Sequence, residues 1–269
     1  MTTTPISTDA PAIRTDIDGA IGTLTIDNPK RLNAVTLAMW QALPEAIARL
    51  DAAPDVRVII LRGAGDAAFV AGADISEFAE VRKDAASARA YEAANAGGFR
   101  AIRQATKPTI AMIAGPCLGG GLGIAIACDL RVAAANAVFG IPAARLGLGY
   151  PPDCMADLVD AVGPARAKEL FFTARRIKAD EALRIGLVTD VVAEGDLAGA
   201  VSGLAATIAA NAPMTIRAAK AAIDRLSHDA SADGLARAVA LADACYESAD
   251  FREGRAAFLE KRAPTFKGR

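Results

Sequence analysis

KPTIAMIAGPCLGGGLGIAIACD, residues Lys107 to Asp129, is the stretch on which the rest of the chain hangs. Thr109 to Ala114 is a β-branched, apolar run of the kind that forms a buried strand, and Gly115-Pro116 breaks it. Three consecutive glycines follow (Gly119, Gly120, Gly121), and Leu122 to Ala127 has the length of a short buried helix. The pattern reads as strand, tight turn, helix. Where a helix starts on residues without Cβ atoms, its first N–H groups are open and the positive end of the helix dipole lies behind them. Such a turn can hold an anion or a developing oxyanion. It can also serve only to let a helix lie close to a strand, and the stretch alone does not separate the two readings.

Upstream, Ile21 to Ile26 alternates apolar residues with Thr and Gly as a strand does, and Asn28-Pro29-Lys30-Arg31 is a polar turn. Thr36 is placed to cap a helix from Leu37 towards Leu50, and Val56 to Leu61 reads as a second buried strand. Phe69-Val70-Ala71-Gly72-Ala73-Asp74 is a small-residue turn leading into a short helix at Ile75 to Phe78. Ala85 to Gln104 is a long Ala-rich helix, interrupted in helical preference at Gly97-Gly98. Leu130 to Ala134 supplies a strand after the opening stretch. Strands and helices therefore alternate, the signature of an α/β fold with mostly parallel strands.

Downstream, Phe139-Gly140-Ile141-Pro142 and Leu146-Gly147-Leu148-Gly149-Tyr150 read as turns. Asp153 is placed to cap a helix ending near Gly163, with Pro164 in the first turn of the next. Ala179 to Ile185 is helical, Leu187 to Val192 is a last strand, and the pattern is helical from Asp196 to the end. Asp250 begins a capping-box-like start to the final helix. The division expected is a disordered lead-in over 1–15, a core over 16–195 and a helical region over 196–269.

Composition limits the function classes. With 30 basic and 31 acidic residues among 269 and a formal net charge of -1, there is no electrostatic footprint for nucleic acid or an anionic membrane. The four cysteines form no C-x-x-C pair, and His228 is the chain's one histidine, which argues against a metal site of the Cys/His kind. Ile110 to Cys128 carries no charge, but its central glycines and proline suit a turn rather than a membrane span. The first residues lack an apolar core of the signal-peptide kind, so a cytoplasmic location is expected. His228 beside Ser227 lies far in sequence from any nucleophile, against a Ser-His-Asp hydrolase.

Two small-residue turns, one at Ala71 to Asp74 and one at Leu118 to Gly121, each follow a β-type run and precede a helix. With these, the chain resembles the crotonase (enoyl-CoA hydratase/isomerase) superfamily. The resemblance is carried by Asn28-Pro29 with Asn33-Ala34, by Phe69 to Ile75, by Gly115 to Asp129 and by Phe139 to Pro142. Leu183 to Val188 and Phe258 to Arg262 also match. It implies a spiral of ββα units with a C-terminal helical trimerisation region, and a homotrimer or dimer of trimers. It further implies an acyl-CoA thioester as substrate, with CoA carried as part of that substrate and no separate cofactor. By motif position the N–H groups of Ala73 and Gly120 would polarise the thioester carbonyl. The substrate would also meet Lys30, Ala71, Gly72, Asp74, Ile75 and Gly119.

The departures from the family pattern bear on the reaction. Hydratases of the family carry a glutamate three residues after the oxyanion glycine, where this chain has Gly123. They carry a second just after the Phe-Gly-x-Pro turn, where it has Ala143. Some isomerases carry a carboxylate where this chain has Pro151. Tyr150 falls where a methylmalonyl-CoA decarboxylase branch has a tyrosine, so it is a candidate catalytic residue or a half-buried turn residue. The branch's oxyanion histidine is replaced by Ala73. The expectation is thus an acyl-CoA-processing enzyme stabilising a thioester enolate, with the usual hydratase glutamates absent. Decarboxylase-type enolate chemistry and a catalytically weak acyl-CoA-binding protein are the alternatives. Asp74 and Asp129 are expected to brace turns, and Glu77 to lie on a solvated face.

Overall fold

The computed structural model describes residues 10–150, 152–228 and 231–269. Pro151, the side chains of Asp153, Ser227 and His228, and the first nine residues of the expected lead-in lie outside the described residues. The chain runs β1 (Ala12–Asp18), β2 (Ile21–Asp27), α1 (Leu37–Ala52), β3 (Val58–Gly63), α2 (Phe78–Val81), α3 (Ala85–Gln104), β4 (Thr109–Ile113), β5 (Pro116–Leu118) and α4 (Gly120–Ala127). It continues as β6 (Leu130–Ala134), β7 (Val138–Gly140), α5 (Ala143–Leu146), α6 (Pro152–Thr173), β8 (Ile177–Lys178), α7 (Ala179–Arg184) and β9 (Asp190–Val192). Four helices end it: α8 (Leu197–Ala210), α9 (Pro213–His228), α10 (Ala232–Glu247) and α11 (Ala249–Glu260).

Six strands form one sheet in the order β1-β2-β3-β4-β6-β9, and β5-β7-β8 form a second. The β1–β2 hairpin is antiparallel, and the other pairs in the large sheet are parallel. Parallel pairing follows from the alternation of strands and helices, because each return to the sheet needs a crossover. One face of the large sheet packs on α1, α3 and α4 through Leu24, Ile26, Ile59, Leu61 and Ala111. The other face, with Val58, Ile60, Ile110 and Val132, packs on Leu197, Val201 and Ala205 of α8. Strands buried on both faces explain the continuous apolar runs in β3 and β4.

Several expectations change. The chain is already in β1 at Ala12, inside the expected lead-in, because the edge strand pairs over its full length with β2. Helix α3 runs unbroken through Gly97-Gly98. A Cβ on Gly98 would fall 3.0 Å from Leu43 Cδ2 and 3.3 Å from Trp40 Cε3, so that glycine serves helix packing rather than a break. Helix α11 is capped by Ser248, whose hydroxyl accepts the Phe251 N–H, and not by Asp250. The Asp250 carboxylate instead accepts the N–H groups of Lys267 and Gly268 at 2.7 and 2.8 Å, holding a non-helical tail where helix was expected. The break at Gly163 (φ 75°) inside α6, with Pro164 after it, is where the sequence places it. Asp129 braces as expected, accepting from Thr109 N–H at 2.7 Å and from Lys220 Nζ at 2.8 Å.

At the centre stands Trp40 of α1, fully buried, its Nε1 donating to the Tyr91 hydroxyl of α3 at 3.0 Å. Its ring meets Phe99 edge-on at 5.3 Å. Trp40→Phe is expected to cost about 1–3 kcal/mol, because it leaves the buried Tyr91 hydroxyl without its donor. The double variant Trp40→Phe/Tyr91→Phe should cost less than the sum of the two singles in urea unfolding. Strict additivity would show that the bond contributes nothing.

Candidate active site

The segment from Phe69 to Asp74 is laid as a strip between two others. On one side Phe69 N–H donates to Ala114 O at 2.5 Å, Val70 N–H to Pro116 O at 3.1 Å, and Leu118 N–H to Val70 O at 3.0 Å. On the other, Ala71 N–H donates to Leu32 O, Val35 N–H to Gly72 O and Asp74 N–H to Val35 O, at 3.0, 2.8 and 2.9 Å. Val35 thus engages the groups flanking Ala73, and in such a parallel bridge the N–H of Ala73 itself faces away from Val35.

The receiving loop is held by the asparagines of the sequence motif. Asn33 Nδ2 donates to Ala64 O and Ala68 O at 3.1 and 2.8 Å, and Asn28 Nδ2 to Ala34 O at 2.7 Å. Two backbone conformations then require glycine. Gly72 has φ 117°, and Gly119 has φ 51° and ψ -119°. Gly119 N–H is spent on Gly140 O at 2.9 Å, and the first helical bond of α4 runs from Gly123 N–H to Gly119 O at 3.1 Å. Gly120, the first residue of the helix, keeps the open N–H that every helix start has, and no side chain caps it.

Ala73 and Gly120 both line one cavity of about 100 Å³. Of the residues expected at the site, Ala71, Gly72, Ala73, Ile75, Gly119, Gly120 and Tyr150 all line it. Lys30 and Asp74 do not. Lys30 sits on an exposed turn, Pro29–Arg31. Asp74 is buried and turned into its own loop, accepting from Ser76 N–H and Oγ at 3.0 and 2.6 Å. Burial pushes the Asp74 carboxyl up, but the Ser76 bonds and the charge of Arg31 outweigh it and hold it below the usual range. Glu77 is not merely solvated, since its carboxylate accepts the Leu37 N–H at 2.8 Å and ties this turn to the start of α1.

Tyr150 packs edge-on against Phe171 at 5.3 Å, and its hydroxyl lies 3.9 Å from where a Cβ on Gly119 would stand. Burial, then the negative charge of Glu92, pushes its phenol up to about 12, with Arg82 opposing. It therefore stays a protonated donor at neutral pH.

Four further residues reach this cavity that the sequence did not single out: Arg82, Glu92, Asn95 and Phe99. Arg82 Nη2 pairs with Glu92 Oε1 at 2.6 Å, and its guanidinium lies 4.6 and 4.5 Å from the ring centres of Phe78 and Tyr91. Asn95 Nδ2 approaches Glu92 Oε2 at 3.4 Å. The available signal was Asn95 itself, a polar residue in helical register with the buried Tyr91, Gly98, Phe99 and Ile102.

Phe99 fills the ground beside Gly123. A Cβ there would come within 2.4 Å of the Phe99 ring, which is buried and wedged against Trp40. Ala143, buried, lines the cavity. Among the described residues no cluster of three or more His, Cys, Asp or Glu is arranged to hold a metal, and no single helix is long and apolar enough to cross a membrane.

Comparison with known proteins gives a consistent result. The family described as enoyl-CoA hydratase/isomerase has a sequence model that matches residues 16–269. A short-chain-enoyl-CoA hydratase of Clostridium acetobutylicum is 38% identical over 247 residues, covering 91% of this chain and 93% of that protein. A peroxisomal Delta(3,5)-Delta(2,4)-dienoyl-CoA isomerase of Arabidopsis thaliana is 32% identical over 265 residues, covering 94% and 95%. Among solved structures, an enoyl-CoA hydratase/isomerase family protein from Hyphomonas neptunium superposes with a TM-score of 0.91. It is 38% identical, with 96% of this chain and 98% of that one covered.

The Phe99 contact yields a test. Gly123→Glu is expected to lower stability by about 1–3 kcal/mol through overpacking, read as a shift in urea midpoint. Adding Phe99→Ala should recover part of that loss by opening the space. Equal stability of Gly123→Glu and the parent would show that the ring yields freely.

Proposed function

The chain belongs to the enoyl-CoA hydratase/isomerase family, the crotonase superfamily, and from that premise we propose that it binds an acyl-CoA thioester and stabilises the enolate formed from it. The thioester carbonyl oxygen would take hydrogen bonds from Ala73 N–H and Gly120 N–H. One observation supports this reading: two residues, Ala73 and Gly120, each held by flanking bonds that leave its own N–H open, line a single cavity. When a proton or carboxyl group leaves the carbon beside the carbonyl, charge moves onto that oxygen. Dipoles already in place stabilise it without reorganising. Ala71, Gly72, Ile75 and Gly119 would form the adjoining walls, and Asp74 would hold their loop in shape. Lys30, on its exposed turn outside the cavity, would reach the CoA phosphates. No cofactor is required beyond the CoA of the substrate.

Hydration is the less favoured reaction. By the family pattern the two water-activating glutamates would stand at Gly123 and Ala143, and the first of those positions is closed by Phe99. Decarboxylation is a second reading, supported by the protonated Tyr150 hydroxyl in the cavity, which can hold a departing carboxylate by a hydrogen bond. The assembly we propose is a homotrimer or dimer of trimers. Support comes from the exposed apolar side chains of the last three helices, among them Ile223, Leu226, Val239 and Phe258. The setting proposed is cytoplasmic, in keeping with cysteines that form no disulfide among the described residues.

A panel of CoA thioesters read by mass spectrometry tests the activity, with crotonyl-CoA for hydration and malonyl- and methylmalonyl-CoA for decarboxylation. Absence of binding to every thioester would sink the reading. Gly120→Pro and Gly120→Ala both place a Cβ near Trp40, but only proline removes the N–H. Turnover by the proline variant is expected to fall roughly 100- to 1,000-fold below that of the alanine variant. Equal rates would remove Gly120 as a donor.

A further inference from the structure

We propose that Glu92 is the proton-carrying residue of this site, in a position on α3 that supplies the acid/base group missing at Gly123 and Ala143. The inference rests on the acyl-CoA reading above and adds to it the group that moves the proton.

Among the described residues lining the cavity that Ala73 and Gly120 also line, Glu92 is the one carboxylate. It is firmly mounted. Arg82 holds one oxygen at 2.6 Å, and Arg82 itself packs over the rings of Phe78 and Tyr91. Tyr91 is in turn fixed by Trp40. The other oxygen, Oε2, faces Asn95 Nδ2 at 3.4 Å, longer than a strong bond, so it is the one available to a substrate proton. Asn95 Oδ1 is buried and accepts no hydrogen bond among the described residues. Such an atom calls for an explanation, and a neighbour that carries a proton during turnover provides one. With its amide turned over, Asn95 can offer Oδ1 to a carboxyl that has taken up the substrate proton, where Nδ2 now faces the carboxylate oxygen.

The step balances without a co-reactant. An oxygen of the Glu92 carboxylate takes a proton from the carbon beside the thioester carbonyl. The C–H bond breaks, and its electron pair becomes the enolate double bond, with the charge on the oxygen facing Ala73 and Gly120. The carboxyl then returns a proton, the original one or one traded with solvent while the enolate is held, either to the carbon it came from or two carbons further along a conjugated enolate. The first course exchanges a proton. The second moves a double bond from the position one carbon beyond conjugation into conjugation with the carbonyl. The substrate class implied is therefore a β,γ-unsaturated acyl-CoA.

The experiment incubates the full chain with butyryl-CoA in deuterium oxide, follows deuterium entry by mass spectrometry, and measures butyryl-CoA binding by calorimetry. Isomerisation of 3-hexenoyl-CoA is followed by the rise of enoyl absorbance. Glu92→Gln, which keeps shape and can still accept from Arg82, is expected to slow both reactions by about 100-fold or more with the dissociation constant unchanged. Glu92→Asp should restore part of the rate. If Glu92→Gln does not fold, Glu92→Gln/Arg82→Met removes the partner charge as well and should show the same loss. Exchange by either folded variant at the parent rate overturns the proposal. So does a parent protein that binds butyryl-CoA yet neither exchanges nor isomerises, an outcome that leaves acyl-CoA binding standing. A parent that binds no thioester removes both.

Discussion

The indole of Trp40 is the piece around which three helices are fitted. Where it meets α3, Gly98 leaves out a side chain, and where it meets α4, a Cβ on Gly120 would come within 2.9 Å of Cζ2. Protein interiors are packed too closely to absorb even a methyl group without displacement. The glycine at the start of α4 therefore answers two demands together, since its N–H must be open on one side and its Cβ absent on the other. A ring fully buried at this junction fixes how near the helix start can lie to the strip carrying Ala73.

The strip and the turn were legible in the sequence because backbone geometry restricts which residues they can hold. A φ of 117° at Gly72 and of 51° at Gly119 leaves little choice but glycine, so the requirement is written directly into the chain. The strand and helix alternation was equally visible, since buried parallel strands need unbroken apolar runs. The walls contributed by α3 were not legible. Glu92, Asn95 and Phe99 reach the cavity only because α3 lies across α1 and α4, and that placement depends on contacts between residues far apart in sequence. Gly97-Gly98 was even misleading, as helix propensity reads it as an interruption while packing against Leu43 and Trp40 overrides the preference. Glu77 misread for a similar reason, because its partner is the Leu37 N–H forty residues upstream.

Electrostatics in the cavity follow from the same placement. A paired Arg82 and Glu92 bring no net charge, yet they set a strong local dipole beside Tyr150, whose phenol is held protonated chiefly by burial. Ala73 and Gly120, which line the same cavity, bring backbone N–H dipoles to it.

The hydrogen bonds joining Val70 to both Pro116 and Leu118 make the two donor-bearing turns one stiff body, anchored on the sheet and on the Asn28–Asn33 loop. Glu92 and Asn95, which also line the cavity, belong to a separate helix and share none of those bonds. Such a division favours evolvability. Substitutions along α3 can change one part of the cavity lining, while the hydrogen-bonded frame of the two turns stays as it is.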